Sequence, residues 1–354
     1  MKFDKPHDIN LPTAALGLAA TPDRKLLYAA CMDGQIFEVD PATQQRTAFA
    51  TAHTSYASGC VLLPDGDTLI SGGYDGALIW HSVKTRQSIR KVAAHHFWSW
   101  QLALSPDGKQ VASVTGQYLA GDQKYHPAPA TEPTVKIFDT HTGELVQHFD
   151  HLPPVMSVAF SPDGKHLAAA NLMGETKVWE LASGKVVATF ASEAFTVWGI
   201  IKSSYYLGGI SGLIFTPDGH LLSCGMGPVT DPMAGNGKTV WQKWQWRDGT
   251  PKMLSQIKEG DGGTGHMETL AFLPDGQSFL MAGREAQSPW NAAIFSAKDG
   301  SRLATLDTKS RITRALFSPD GKTAYLAAAR GQSRDKATGK WADSGRIHVV
   351  GVEG

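Results

Sequence analysis

The sequence predicts an all-β protein, a seven-bladed β-propeller of four-stranded antiparallel blades, and three observations carry that expectation. The dipeptide Pro-Asp recurs seven times, beginning at Pro22, Pro64, Pro106, Pro162, Pro217, Pro274 and Pro319. Strand-length apolar segments flank the copies, as VMSVAF and KHLAAA flank Pro162. The spacings between successive prolines are 42, 42, 56, 55, 57 and 45 residues, and self-similarity at periods of about 40 to 50 residues marks propeller arrays.

Each element follows from its local chemistry. In Ser161-Pro162-Asp163-Gly164, Pro presets φ at the second position of a type I turn and Gly suits the residue that leaves it. A type I turn followed by a left-handed residue joins adjacent antiparallel strands, so the motif links strands one and two of each blade. Asp33-Gly34 and Asp75-Gly76 supply tight turns into third strands, IFEV and LIWHS. A further turn, seen as HTG at 141–143, ASG at 182–184 and KDG at 298–300, leads to a fourth strand such as ELVQHF or KVVATF.

The ends of the chain predict how the ring closes. Only 35 residues follow Pro319, enough for three strands, whereas 21 precede Pro22, more than the first blade needs. The N-terminal segment therefore supplies the missing strand of the last blade, which removes an exposed sheet edge. The expected organisation is one domain, 1–354, with blades at about 11–53, 54–95, 96–151, 152–205, 206–263, 264–308, and 309–354 joined by 1–10.

Composition narrows the function classes. Lys plus Arg and Asp plus Glu number 33 each, so the basic excess on which nucleic-acid binders rely is absent. No apolar run is long enough for a membrane-spanning helix. MKFDKPHDINLP lacks the apolar stretch of a secretory signal. A complete chain would then be cytoplasmic, and one that had lost a signal would be exported. Cys31, Cys60 and Cys224 lack metal-site spacing and read as small buried hydrophobes. No cofactor, metal site or membrane partner is expected, and the protein is expected to be a monomer on its own.

These residues resemble the WD-repeat β-propeller family over essentially the whole chain. A blade of that family carries His before its first strand, Ser or Thr on the second, Asp in the next turn and Trp on the third. His53, Ser71, Asp75 and Trp80 match this order, and the resemblance implies a buried hydrogen-bonded chain among them. His53, His95 and His151 each stand eleven residues before their Pro. Phe37, Trp80, Phe138, Trp179, Trp244 and Phe295 match the third-strand aromatic. The chain departs from the pattern in lacking an intact Trp-Asp pair, for which Phe138-Asp139 and Trp179-Glu180 come nearest, and in placing Met173 where a turn Asp belongs. The Pro-Asp turns also suit other seven-bladed propellers, such as lactonase-like or amine-dehydrogenase-like ones.

Blade length locates the expected function. About 14 extra residues relative to the shortest blades enter the third, fourth, fifth and seventh, in second-to-third loops or blade connections. Those loops emerge on one face of a propeller and the Pro-Asp-Gly turns on the other. Long loops on a rigid scaffold are where binding residues concentrate. They carry Trp98, Tyr118, Tyr125, Trp198, Tyr205, Tyr206, Trp290 and Trp341, residue types that anchor interfaces through large area and a polar handle. The function expected is a non-catalytic scaffold binding a protein or peptide on the loop-rich face.

The alternative is a propeller enzyme or small-ligand binder, lactonase-like or dehydrogenase-subunit-like, at the channel mouth of the same face. His95, His96, His126, His266, Asp122, Asp231 and Glu268 are the polar candidates for that role, with no recognised ligand spacing among them. GDGGTG at 260–265 lacks the Lys-Ser/Thr of a phosphate loop. Ser211, in GGISG, lacks the strand-to-helix elbow that exposes a nucleophile. A cluster of His and carboxylates at the mouth would favour the enzyme, and a broad aromatic patch the scaffold.

Overall fold

A computed structural model describes residues 1–119, 126–129, 131–192, 195, 209–229, 237–257, 265–285, 289–330 and 343–354. Seven antiparallel sheets follow one another along the chain, six with their strands in simple up-and-down order. The first strands of the blades are Ala15–Ala20, Ala57–Leu62, Gln101–Leu104, Val155–Phe160, Ile210–Phe215, Gly265–Phe272 and Arg311–Phe317. Each packs on the first strand of the next blade, and the last packs on the first, so they form the inner wall of a channel. Fourth strands such as Ser88–Ala93 and Val186–Ala191 lie at the rim and are largely exposed. Second strands such as Leu27–Cys31 and His166–Asn171 are buried almost throughout, because both of their faces meet neighbouring blades.

The core is divided among the interfaces between blades. Leu18, Ala29 and Phe37 of the first blade pack on Tyr325 and Ile347 of the seventh, for example, and Ile70 and Trp80 of the second pack on Val111 and Phe138 of the third. All three cysteines are free and buried within this packing. Among the described residues, no helix is long and apolar enough to cross a membrane.

The ring closes as the chain arithmetic requires. Lys2 and Phe3 pair with Glu353 and Val352, and His7–Leu11 pairs with the strand Gly345–Glu353 from Val349 back to Gly345. Ile9 and Leu11 are fully buried there. The Asp8 carboxylate accepts hydrogen bonds from Arg346 Nη1 at 2.8 Å and from His348 Nδ1 at 2.6 Å across the seam.

The Pro-Asp turns behave as their residues dictate. In six of them the Gly after Asp sits at φ between 66° and 81° (Gly66, Gly108, Gly164, Gly219, Gly276 and Gly321). The first turn has Arg24 at φ 58° instead, a conformation unfavourable for a residue with a Cβ. Arg24 is held there by its guanidinium, which donates to the carbonyl of Thr21 at 2.8 Å and, across the closure, to that of Phe317 at 2.9 Å. The long loop of the third blade carries its own two-stranded ladder, Tyr118–Leu119 with His126–Pro127.

Candidate interaction surface at the channel mouth

The inner strands share an irregularity that positions the site. In six blades the pairing of strands one and two slips by one residue, leaving Leu16, Ser58, Met156, Ser211, Glu268 and Thr313 without a partner across the ladder. Such a bulge re-aims a side chain and is common at barrel rims and beside binding sites. These six and Trp100 of the third blade together line the mouth of the channel. Each stands six residues before the Pro of its own blade, from Leu16 before Pro22 to Thr313 before Pro319. The opposite opening is lined by Pro22, Pro64, Pro274 and Pro319 of the tight turns, so the mouth lies on the loop-rich face.

An aromatic cluster stands at this mouth, between the second and third blades. Tyr74 stacks on Trp98 with centroids 4.4 Å apart and planes 2° from parallel, and Trp98 stacks in turn on Phe97 at 4.7 Å. Tyr56 lies 5.5 Å from Tyr74, and Trp100 meets Tyr74 and Trp98 edge-on at 5.3 and 5.2 Å. Two of the rings remain open to solvent, Tyr56 at 41% and Trp98 at 37% exposure. Phe97 also borders a cavity of about 320 Å³ with His96, Gly116, Pro129, Glu132 and Pro153, which extends the surface towards the fourth blade.

Polar groups occupy the far side of the mouth. Arg311 binds Glu268 through both prongs of its guanidinium, Nε to Oε1 at 2.6 Å and Nη2 to Oε2 at 2.8 Å. Burial pushes the Glu268 carboxyl up, but the charge and hydrogen bonds of Arg311 outweigh it and hold the group below its usual range. His266 Nε2 is 2.5 Å from Ser211 Oγ. Burial lowers the His266 pKa, with Glu268 opposing, which favours the neutral ring. Below the mouth the channel contains a cavity of about 390 Å³ walled by all seven inner strands, with Arg314 among its lining.

Sequence reasoning reached part of this surface. Trp98 is placed in it, and Tyr118 begins the small ladder of the third blade's loop. Trp290 is a correction: at 1% exposure it is buried, its ring edge-on to Phe295 and 5.7 Å from the Arg302 guanidinium. The chain has by then returned to the sheet, two residues before the strand Ala292–Ser296. Tyr125, Trp198, Tyr205, Tyr206 and Trp341, with Asp122 and Asp231, lie outside the described residues. Of the polar candidates, the mouth brings His266 and Glu268 together, whereas His95 turns inward to Ser113 Oγ at 2.7 Å and His96 borders the neighbouring cavity. Tyr56, Tyr74, Phe97, Trp100, Arg311 and Arg314 were missed; of these, counting six residues back from each Pro finds Trp100.

Residues 44–81 and 141–180 match the family described as WD40: WD domain, G-beta repeat. The chain carries WD40 repeats within a seven-bladed β-propeller. Telomerase Cajal body protein 1 of Mus musculus is 25% identical over 251 residues, 67% of this chain and 42% of that protein. WD repeat-containing protein SL1-17 of Schistosoma mansoni is 29% identical over 184 residues, 51% of each. Transcription factor unc-37 of Caenorhabditis elegans is 27% identical over 173 residues, 48% of this chain and 25% of that protein. The propeller thus spans about half or less of the length of these relatives.

The WD-repeat blade chemistry is present in the second blade with one displacement, and the first blade's Phe37 is also out of register, because Leu27, five residues after Pro22, pairs with Val39. In the second blade His53 Nδ1 bonds the Asp75 carboxylate at 2.8 Å and His53 Nε2 bonds Ser71 Oγ at 2.9 Å. Burial would raise the Asp75 pKa, but the hydrogen bond and charge of His53 hold it far below the carboxylate range. Trp80 does not complete this chain; His81 does, its Nε2 lying 2.9 Å from Ser71 Oγ. The register explains the exchange. Phe138, Trp179 and Phe295 pair with Val111, Leu167 and Phe279, each five residues after its Pro. The corresponding Leu69 pairs with His81. Trp80 is one residue earlier and faces the opposite interface, where its indole N–H donates to the Thr140 carbonyl of the third blade at 2.6 Å. In the fourth blade, with Met173 in place of the turn Asp, Asn171 Oδ1 accepts from the amides of Met173 and Glu175 at 3.0 and 2.9 Å.

Proposed function

We propose that this propeller is a non-catalytic interaction scaffold that binds a protein or peptide segment on its loop-rich face. The observation that carries the reading is the five-ring cluster Tyr56–Tyr74–Trp98–Phe97–Trp100, in which Tyr56 and Trp98 remain exposed beside a cavity. Exposed Trp and Tyr in a preformed arrangement give binding area at little cost in conformational entropy. Likeness to a telomerase Cajal body protein and to a transcription factor supports a partner-binding role. The test is peptide selection by phage display on the wild-type protein, repeated with a Tyr56→Ala/Trp98→Ala double variant. Selected peptides should bind the variant at least tenfold more weakly while its melting temperature holds. Undiminished binding would overturn the reading.

A second reading, catalysis at the same mouth, is favoured by one observation: His266 Nε2 in hydrogen-bond contact with Ser211 Oγ, the relation of a base to a nucleophile. It requires that p-nitrophenyl acetate be hydrolysed with a burst that Ser211→Ala abolishes. Equal rates in the two proteins would remove it.

A further inference from the structure

One residue deeper in the channel than the mouth ring, five residues before each Pro, five blades carry Gly, Ser or Thr. The third carries Gln101 and the seventh carries Arg314. A guanidinium therefore stands in a channel left open by small residues, with Gln101 the one other long side chain at this level. Arg314 lines both the mouth and the cavity below it, a cavity walled also by Cys60 of the second blade, Gly212 of the fifth and Glu268 of the sixth, which places it centrally.

Arg314 is short of partners. Nη1 donates to the carbonyl of the adjacent Thr313 at 2.7 Å, the one hydrogen bond it makes among the described residues, where no carboxylate lies within ion-pair distance of it. The nearby carboxylate, Glu268, is already engaged by both prongs of Arg311. Two guanidiniums and one carboxylate leave one positive charge in excess, carried by a half-buried side chain that water reaches only in part, and such a charge is stabilised by an anionic partner. A planar fork of N–H donors matches a carboxylate in geometry and charge. A dianion would exceed the available positive charge and meet repulsion from Glu268. Tyr74 and Trp100 line the same mouth and offer an apolar wall for whatever carries the group.

We infer that the channel mouth is a carboxylate-binding site, with Arg314 as the receiving cation and Tyr74 and Trp100 as the wall beside it. The inference rests on the loop-rich face being the binding face and assigns the chemistry that the face recognises. An acidic side chain of a bound peptide and a free organic acid present the same group.

The experiment uses 4-fluorobenzoate as probe, followed by fluorine NMR and calorimetry, with 4-fluorobenzamide as its neutral counterpart and phenyl phosphate as the dianion. The benzoate should bind at least about tenfold more tightly than either. Arg314→Gln should lose that preference, and Arg314→Lys, which keeps charge without the fork, should retain part of it. Equal binding of benzoate and benzamide by the wild-type protein would overturn the inference even if the variants failed to fold. So would tighter binding of phenyl phosphate, or an undiminished preference in folded Arg314→Gln. Two end-blocked peptides differing only by Glu or Gln separate the sources: discrimination between them that weakens in Trp98→Ala, while benzoate binding stays, identifies a peptide carboxylate. Benzoate binding with no such discrimination identifies a free acid. Loss of peptide binding in Trp98→Ala alone bears on the scaffold reading and leaves the Arg314 result standing.

Discussion

The two ends of the channel are built on the same seven strands and differ in kind. At one end every blade presents Pro-Asp, because the turn between strands one and two needs a preset φ and a side-chain acceptor for the amides that follow; Asp163 Oδ1, for instance, accepts from the Lys165 amide at 3.1 Å. At the other end, six residues earlier in each blade, Leu16, Ser58, Trp100, Met156, Ser211, Glu268 and Thr313 share a position but almost no chemistry. A turn constrains which residue can sit in it. A bulge fixes where a residue sits and leaves its identity open. Repetition therefore marks the end that holds the fold together, and diversity marks the end free to recognise something.

The comparison breaks if stability resides at the mouth, and the largest effect should come from elsewhere. Deleting residues 1–11 removes Ile9 and Leu11 from the closure, each fully buried and each contributing roughly 1.5 to 3 kcal/mol, together with the seam hydrogen bonds. A loss of about 4 kcal/mol or more is expected in chemical denaturation. An unchanged midpoint would mean the ring does not depend on its seam.

Next in size is Asp75→Ala, which strips His53 of its acceptor inside the second blade. It should cost about 1 to 3 kcal/mol and leave probe binding at the mouth intact. A third effect is pH dependence. Burial lowers His81 from 6.5 to about 4 and His151 from 6.5 to about 3. Below pH 6.5 the unfolded chain takes up protons that these folded rings refuse, so stability falls with decreasing pH from about 6.5 to about 3. At pH 5 each ring should have withdrawn on the order of 1 to 2 kcal/mol, and His151→Leu should flatten the slope between pH 7 and 5 by about 0.7 proton on average. A profile unchanged by that substitution would exclude His151 as a source.

The smallest effect sharpens the contrast. Met156→Gln alters the mouth at a half-buried bulge position and should move stability by no more than about 0.5 kcal/mol. A loss above 2 kcal/mol would show that the mouth ring holds the fold as the turns do.

The fold was legible because its determinants are local. Pro-Asp-Gly turns and strand-length apolar segments can be read residue by residue, and the 35 residues after Pro319 left the seam as the way to complete the last blade. The site was less legible because it depends on register. Nothing local distinguishes Trp80 from His81 as the partner of Ser71; the slip between Ser88 and Arg90 on the outer strand accompanies that choice. Nor does a Trp near the end of a loop declare whether it faces water, as Trp98 does, or the sheet, as Trp290 does. Arg311 and Arg314 look like ordinary charges on a strand until seven strands are arranged around one axis.

The seam has a mechanical side. The outermost pair, Lys2 with Glu353, is antiparallel and adjoins both ends of the chain. Tension applied at those ends would load the ladder one rung at a time, from Lys2–Glu353 inward to Leu11–Gly345, rather than across all its rungs together as shear does. The ring would open like a zipper at low force, while a handle placed on any other blade would have to tear a complete sheet from its neighbours.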